Sequence, residues 1–165
     1  MQSEIIRHPF PPLYDRRSEI LILGSFPSVK SREQNFFYGH PQNRFWKVLG
    51  AVYGCAVPKT IPEKRDFLLS RRIALWDVLA SCKIAGSADS SITDALPNDL
   101  SPIFETANIR RVFTNGKTAD KYYEKYQLSK TGMPAFSLPS TSPANAAWTL
   151  ERLIDAWRVL LEKNT

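Results

Sequence analysis

The sequence predicts an α/β fold of three layers, α/β/α, around a short and largely parallel central sheet. Short apolar runs alternate along the chain with segments of helical periodicity, which is typical of parallel strands covered by helices on both faces. The chain has 165 residues and contains neither an internal repeat nor a recognisable linker between domains. We therefore expect a single domain over residues 1–165.

Four short apolar runs are the predicted strands of the sheet. They cover residues 19–24, 73–76, 109–115 and 134–138. The loops that follow three of these strands have unusual sequences, which read GSFPS, TNG and LPSTSPAN. Because ligands bind beyond the carboxyl ends of parallel strands, these loops should meet at one place.

Helices are predicted from apolar spacing and from signals at their ends. The first should begin near Asn43 and end at Gly54, because the apolar residues between them follow the i, i+3, i+4, i+7 rule. A second helix covers residues 63–71, and a third follows Gly116 and carries three tyrosines. The first two of these helices lie between the first and second predicted strands, and the third follows the third strand.

The last predicted helix has the clearest signal at its start. Ser142 is a natural N-cap, and Pro143 would take the first helical position, where its missing N–H is not needed. An apolar stripe then runs through residues 150–161. We therefore expect this helix to begin at Ser142.

Two segments without a clear period, residues 25–42 and 81–101, are interpreted as loops. Loops of this length in a small domain are usually functional. The first carries Phe36, Phe37 and Tyr38, whose rings could stack on a base that has been rotated out of a duplex. The alternative is that these rings fill the core.

The composition favours a soluble protein with a polyanionic partner. Lys and Arg number 22 against 16 Asp and Glu, which gives a net charge of +6. No apolar stretch approaches the roughly 20 residues of a membrane helix, and the N-terminus lacks a signal-peptide core, so we expect a cytoplasmic protein and, by default, a monomer. With two cysteines and two histidines in the chain, we expect no metal site.

The loop after the first strand, residues 24–28, is the first candidate site. Gly24 lets a ligand approach the backbone closely, so Gly24, Ser25 and Phe26 are candidates for a base pocket and Ser28 for a phosphate contact. The alternative is an ordinary turn between a strand and a loop.

Four polar side chains could carry chemistry. Asn43 could orient a water molecule through its carbonyl oxygen, or it could cap the helix that follows. Asn115 could pair with the edge of a base, or it could be a turn residue before Gly116. Asp77 and Asp89 could each act as a base or an electrostatic stabiliser, although carboxylates at the surface or at helix caps are more common.

The loop after the last strand contains Ser140, Thr141 and Ser142. Together with the N-terminus of the predicted helix, these residues would form a phosphate-binding site, because free N–H groups and the helix dipole favour an anion. N-capping by Ser142 is compatible with this function.

Taken together, these segments resemble the hypoxanthine-DNA glycosylase (DNA-deoxyinosine glycosylase) branch of the uracil-DNA-glycosylase superfamily. The resemblance runs from about residue 20 to residue 157 through GSFPS, YGHPQNRFWKVL, ALWDVLASC, VFTNG and LPSTSPANA. It implies an α/β/α fold, DNA containing a damaged base as the substrate, extrusion of that base, no cofactor, and Asn43 as the catalytic amide. HPQNRFWKV is also similar to a stretch of the mismatch-specific uracil-DNA glycosylases.

Two departures from the superfamily pattern bear on the substrate. Phe26 stands where the first motif often has a polar residue that positions water, and Leu138 stands where the last motif usually has His or Asn. Both count against a uracil-specific enzyme, and no motif places a lysine for Schiff-base chemistry. We therefore expect a monofunctional glycosylase that releases hypoxanthine and leaves an abasic site. The alternatives are a uracil or mismatch-specific glycosylase and a non-catalytic DNA-binding module of the same fold.

Overall fold

Four parallel strands form the central sheet of the protein, whose computed structural model describes residues 4–162. They are β2 (Ile20–Gly24), β3 (Ile73–Asp77), β6 (Arg111–Asn115) and β7 (Ala135–Leu138), and their order is β3-β2-β6-β7. β2 lies between β3 and β6 and is buried throughout, which explains its continuous apolar sequence. The four predicted strands are confirmed, with ends that differ by one or two residues.

Helices flank this sheet, so the predicted three-layer α/β fold is confirmed. The α-helices are α1 (Val29–Gln34), α2 (Phe45–Val52), α3 (Ile61–Ser70), α4 (Ser101–Thr106), α5 (Lys117–Tyr126), α6 (Leu128–Thr131) and α7 (Leu150–Trp157). α2 packs against α7, α3 against β3, and α5 against β6 and β7. None of the helices within residues 4–162 is long and apolar enough to cross a membrane.

A second, antiparallel sheet corrects the interpretation of residues 81–101 as a loop. It contains β1 (Ile5–Arg7), β4 (Leu79–Lys83) and β5 (Thr93–Pro97), in the order β1-β4-β5. β4 follows β3 after a single residue, and its pairing with β5 is irregular. The sequence signal is weak because β5 is short, mostly exposed and ends at a proline, and because pairing with a distant N-terminal strand leaves no local pattern.

The segment 25–42 is also not entirely a loop, because it contains α1. The Ser28 hydroxyl accepts a hydrogen bond from the Ser31 N–H and caps this helix, and Asn35 ends it in the left-handed conformation. The helix has six residues and a polar sequence, which is too short for an apolar period to be recognised.

The last helix begins at Leu150, eight residues after the predicted N-cap Ser142. Its N-cap is Thr149, whose hydroxyl accepts a hydrogen bond from the Arg152 N–H. Residues 142–149 form successive turns, in which the Asn145 N–H donates to the Ser142 carbonyl. The prediction that this helix starts at Ser142 was therefore wrong.

Candidate active site

A cleft of about 1020 Å³ opens at the carboxyl ends of the parallel strands. The loops after β2, β6 and β7 all line it, so the prediction that these loops meet is confirmed. The cleft is also lined by Asp77 at the end of β3 and by Asn43 before α2. The topology of a parallel sheet accounts for this arrangement, because it places the four strand ends at one edge.

A buried His–Asp pair lies beside this cleft. His8 donates its Nε2–H to Oδ2 of Asp77 over 2.7 Å, and the side chains are 3% and 5% exposed. The Phe10 N–H donates to Nδ1 of the same ring over 3.5 Å, which fits a neutral imidazole protonated on Nε2. The ring also packs on Trp76, 4.4 Å between centroids. Sequence reasoning considered His8 only as a metal ligand and missed this contact, because no local motif relates it to Asp77.

Gly24 and Tyr38 surround the other oxygen of Asp77. A Cβ at Gly24 would lie 2.4 Å from Asp77 Oδ1 and 3.1 Å from the Tyr38 hydroxyl. Any larger residue at this position would therefore clash with the carboxylate. The glycine brings the backbone of β2, the hydroxyl and the carboxylate into one small volume.

The predicted aromatic residues divide between the cleft and the core. Phe26, Phe37 and Tyr38 line the cleft, and the Tyr38 ring stacks on Phe45 with centroids 3.9 Å apart. Phe36 does not belong to the lining that the described residues form; it is buried against Trp46. The prediction of Phe36 as a pocket residue is therefore corrected to a core residue.

Asn43 lies at the start of α2 and on the wall of the cleft. Its Oδ1 accepts a hydrogen bond from the Phe45 N–H over 2.9 Å, so it satisfies the first N–H of α2 from the position before the N-cap, Arg44. It is also half-buried on the wall of the cleft, and its Nδ2 has no partner in the described part of the chain. The oxygen keeps a second lone pair, which could accept a hydrogen bond from water.

Arg44, the neighbour of Asn43, holds the last loop in place. Its guanidinium donates to the carbonyl groups of Ser142 and Asn145, each over 3.0 Å, and to that of Trp148. Its backbone N–H donates to the Thr141 carbonyl over 3.0 Å. These contacts explain why residues 142–149 form turns around the arginine.

Asn115 is locked to Thr141 by two hydrogen bonds. Its Nδ2 donates to the Thr141 hydroxyl over 3.0 Å, and its Oδ1 accepts from the Thr141 N–H over 3.1 Å. The Thr141 side chain is fully buried, at 0% exposure, so in this arrangement it holds Asn115 and does not face a phosphate. Both residues line the cleft, and their two hydrogen bonds join the loops that follow β6 and β7.

The serines of the last loop remain on the cleft, but the N-terminus of α7 does not stand behind them. Ser140 accepts a hydrogen bond from the Ser142 N–H, and Ser142 accepts one from the Ala144 N–H, each over 3.1 Å. Because α7 begins only at Leu150, its dipole cannot contribute to a phosphate site at these serines. Lys117, at the start of α5, lines the same cleft and was not predicted there.

Ser25 and Asp89 connect the first loop to the segment after β4. The Ser25 hydroxyl donates to the Asp89 carboxylate over 2.8 Å. Although Asp89 is exposed at the rim, partial desolvation of its carboxylate raises its pKa above the ordinary value, and the negative charge of Asp77 acts in the same direction. The two carboxylates that the sequence offered as secondary candidates therefore both lie on the cleft.

No group of three His, Cys, Asp or Glu side chains in residues 4–162 is arranged to hold a metal ion.

Comparisons with known proteins point to one family. The model of the uracil DNA glycosylase superfamily matches residues 11–161. A hypoxanthine DNA glycosylase of Methanosarcina acetivorans is 37% identical over 150 residues, which are 90% of this chain and 94% of that protein. One of Methanosarcina barkeri is 38% identical over 142 residues, 79% of this chain and 90% of that protein. A solution NMR structure of a candidate uracil DNA glycosylase from Methanosarcina acetivorans superimposes with a TM-score of 0.78 at 35% identity, covering 96% of this chain and 100% of that one.

Proposed function

Because the chain belongs to the uracil DNA glycosylase superfamily, we propose that it releases a deaminated base, hypoxanthine, from DNA. Two relatives that match most of this chain are named hypoxanthine DNA glycosylases, which supports the choice of base. The reaction is hydrolysis of the N-glycosidic bond, and its products are the free base and an abasic site.

The observation that carries the proposal is the position of Asn43. Its amide lies on the wall of the cleft that also contains Phe26, Phe37 and Tyr38. Phe26 cannot position water, so the first loop has no amide side chain for this task. Asn43 has an oxygen with a remaining lone pair and an unpaired NH₂ group within the described chain, and it can therefore hold a water molecule.

The proposed mechanism is dissociative, because the bond to the base breaks before water bonds to the sugar. The damaged nucleotide enters the cleft, where aromatic rings stack on its base. The C1′–N9 bond then breaks, its electron pair moves to the purine, and an oxocarbenium-like sugar forms. The water held by Asn43 bonds to C1′ through its oxygen and loses one proton, and the released purine takes up a proton.

The DNA backbone would contact the rim of the cleft. Lys117 and Ser140 line this rim, and Lys117 is exposed. An ammonium group and a hydroxyl can bind phosphate oxygens, and the net charge of +6 favours association with DNA. This assignment replaces the helix N-terminus of the earlier expectation.

The experiment that tests the function uses a duplex with one deoxyinosine. After incubation with the protein, we expect strand breaks only when alkali is added, because a monofunctional glycosylase leaves the abasic strand intact. Sodium borohydride should trap no protein–DNA adduct. A trapped adduct that disappears in Lys117→Ala would instead assign a Schiff-base mechanism to that lysine. The same duplex with deoxyadenosine at that position is the control, and equal breakage of both duplexes would contradict the proposal.

A further inference from the structure

The Tyr38 hydroxyl is buried beside the cleft without a hydrogen-bond partner among the described residues. A buried hydroxyl without a partner destabilises the folded protein, so its presence at this position requires an explanation. Tyr38 also has a φ of 52°, in the left-handed region that non-glycine residues rarely adopt. An unpaired polar group and a strained backbone at one residue are typical of ligand-binding positions.

The hydroxyl can donate or accept a hydrogen bond, but it does not ionise to a phenolate at neutral pH. Burial raises the pKa of Tyr38, the charge of Asp77 raises it further, and the nearby Asn115 side chain offsets only part of this rise. The hydroxyl therefore keeps its proton at neutral pH. This proton is available to a carbonyl oxygen of a ligand.

The carboxylate of Asp77 supplies the complementary acceptor. His8 occupies Oδ2, while Oδ1 has no hydrogen bond within residues 4–162 and lies next to Gly24. Oδ1 and the Tyr38 hydroxyl lie within 3.1 Å of one point, the place of a Cβ at Gly24. A donor and an acceptor thus stand side by side on the cleft.

We propose that Tyr38 and Asp77 recognise the lactam edge of the extruded base, a carbonyl oxygen next to a ring N–H. This inference rests on the proposed glycosylase function. The Tyr38 O–H donates to O6 of hypoxanthine, and N1–H of the base donates to Asp77 Oδ1. His8 is a positioning residue, because its bond to Oδ2 fixes the plane and the direction of the carboxylate.

Adenine has the reverse pattern on the same edge. Its N1 is an acceptor and its exocyclic N6 is a donor, so the N1 lone pair would face the carboxylate of Asp77. Deamination converts this edge into a lactam, and the same conversion relates cytosine to uracil. The pair therefore separates deaminated bases from adenine and cytosine, whereas guanine and thymine, which also have a lactam edge, differ in their 2-amino and 5-methyl groups.

The Asp77→Asn variant gives a sharp test because His8 controls its orientation. The amide oxygen should accept the His8 Nε2–H, as Oδ2 does now. The NH₂ group would then take the place of Oδ1 and present a donor to the base. A donor at this position suits N1 of adenine and repels N1–H of hypoxanthine.

The experiment measures single-turnover base release from duplexes containing deoxyinosine, deoxyadenosine or deoxynebularine, whose purine lacks both groups of the lactam edge. We expect Asp77→Asn to lower the hypoxanthine-to-adenine rate ratio by about tenfold or more. Tyr38→Phe keeps the ring stacked on Phe45 and should lower the rate of hypoxanthine release by about tenfold or more. The rate of purine release from deoxynebularine should fall less. Tyr122→Phe, at a buried tyrosine outside the cleft lining, is the matched control.

The outcomes separate this inference from the function on which it rests. If the wild-type protein releases no hypoxanthine, the proposed function is wrong. If it does, and both variants keep its rates, or lose release of all three bases by one common factor, the lactam recognition is wrong. If the wild-type protein does not release the unsubstituted purine of deoxynebularine, the rate at which Tyr38→Phe releases hypoxanthine is the deciding measurement. An unchanged rate then overturns the proposal. If Asp77→Asn and Tyr38→Phe have the same thermal midpoint as Tyr122→Phe, their loss of activity is not caused by unfolding.

Discussion

His8 and Asp77 lie 69 positions apart in the sequence and are joined by a hydrogen bond of 2.7 Å. The histidine follows β1 in the N-terminal segment, and the aspartate ends β3. The contact therefore fastens the N-terminal segment to the edge of the central sheet where the cleft opens. The N-terminal segment thus supports the candidate active site.

The first prediction concerns the stability that this pair provides. His8→Phe keeps an aromatic ring against Trp76 but removes the donor to a buried carboxylate, so we expect a loss of about 1–3 kcal/mol in the free energy of unfolding. In an Asp77→Ala background the same change should cost little, because no carboxylate is left without a partner. Chemical denaturation of the four proteins in this double-mutant cycle measures the coupling. Additive losses would show that the pair is not energetically coupled.

Asn43 provides the second prediction, in which capping and catalysis are separated. Asn43→Ala should abolish most base release and also weaken the start of α2, because the Phe45 N–H loses its acceptor. Asn43→Ser can still accept a hydrogen bond from that N–H, but its side chain is too short to hold the same water molecule. We expect Asn43→Ser to have a thermal midpoint close to that of the wild-type protein, with base release as low as in Asn43→Ala. Wild-type release by Asn43→Ser would leave Asn43 with the capping function alone.

Arg44 provides the third prediction. Arg44→Ala removes the donors to three carbonyl groups of residues 142–148, so we expect a loss of about 2–4 kcal/mol in stability and of base release. Arg152, which is exposed and packs over Trp148 on the same loop, is the control. Arg152→Ala should cost less than about 1 kcal/mol. Similar losses for both variants, measured by urea denaturation, would contradict the special role of Arg44.

Asp89 provides a prediction about pH. Desolvation raises its pKa in the folded protein, so ionising the carboxylate lowers the stability. This cost is absent below the ordinary pKa of aspartate, where the folded and unfolded states are both protonated. It is complete once the pH has risen above the raised pKa. Asp89→Asn keeps an acceptor for the Ser25 hydroxyl and removes that cost. We therefore expect the variant to melt at a higher temperature than the wild-type protein at neutral pH, with a difference that shrinks as the pH falls below the ordinary pKa of aspartate. A difference that grows on acidification would contradict the assignment.

Much of the cleft could be predicted because it depends on topology. Once residues 19–24, 109–115 and 134–138 are recognised as parallel strands, their following loops must converge, and they do. Gly24 and Asn115 were therefore located correctly on the cleft without any knowledge of their contacts. The position of a loop at the edge of a parallel sheet can therefore be predicted from chain order and strand direction alone.

The rest could not be predicted because it depends on contacts between distant residues. Ser142 followed by Pro143 is a good local signal for a helix start, but Arg44, 98 positions away, binds the Ser142 carbonyl, and the helix begins only at Leu150. No spacing rule connects His8 with Asp77 either. Tertiary contacts overrode local propensity at both places.

The most direct test of the proposed function compares the release of hypoxanthine and of uracil under enzyme excess, from duplexes that differ only in the damaged nucleotide. The cleft of about 1020 Å³ has apolar walls at Phe26 and Phe37, which favour stacking with the wider purine ring. We predict that hypoxanthine is released faster than uracil and that an abasic site accumulates at the same rate as the free base. A clear preference for uracil, or no abasic site with either duplex, would contradict the account.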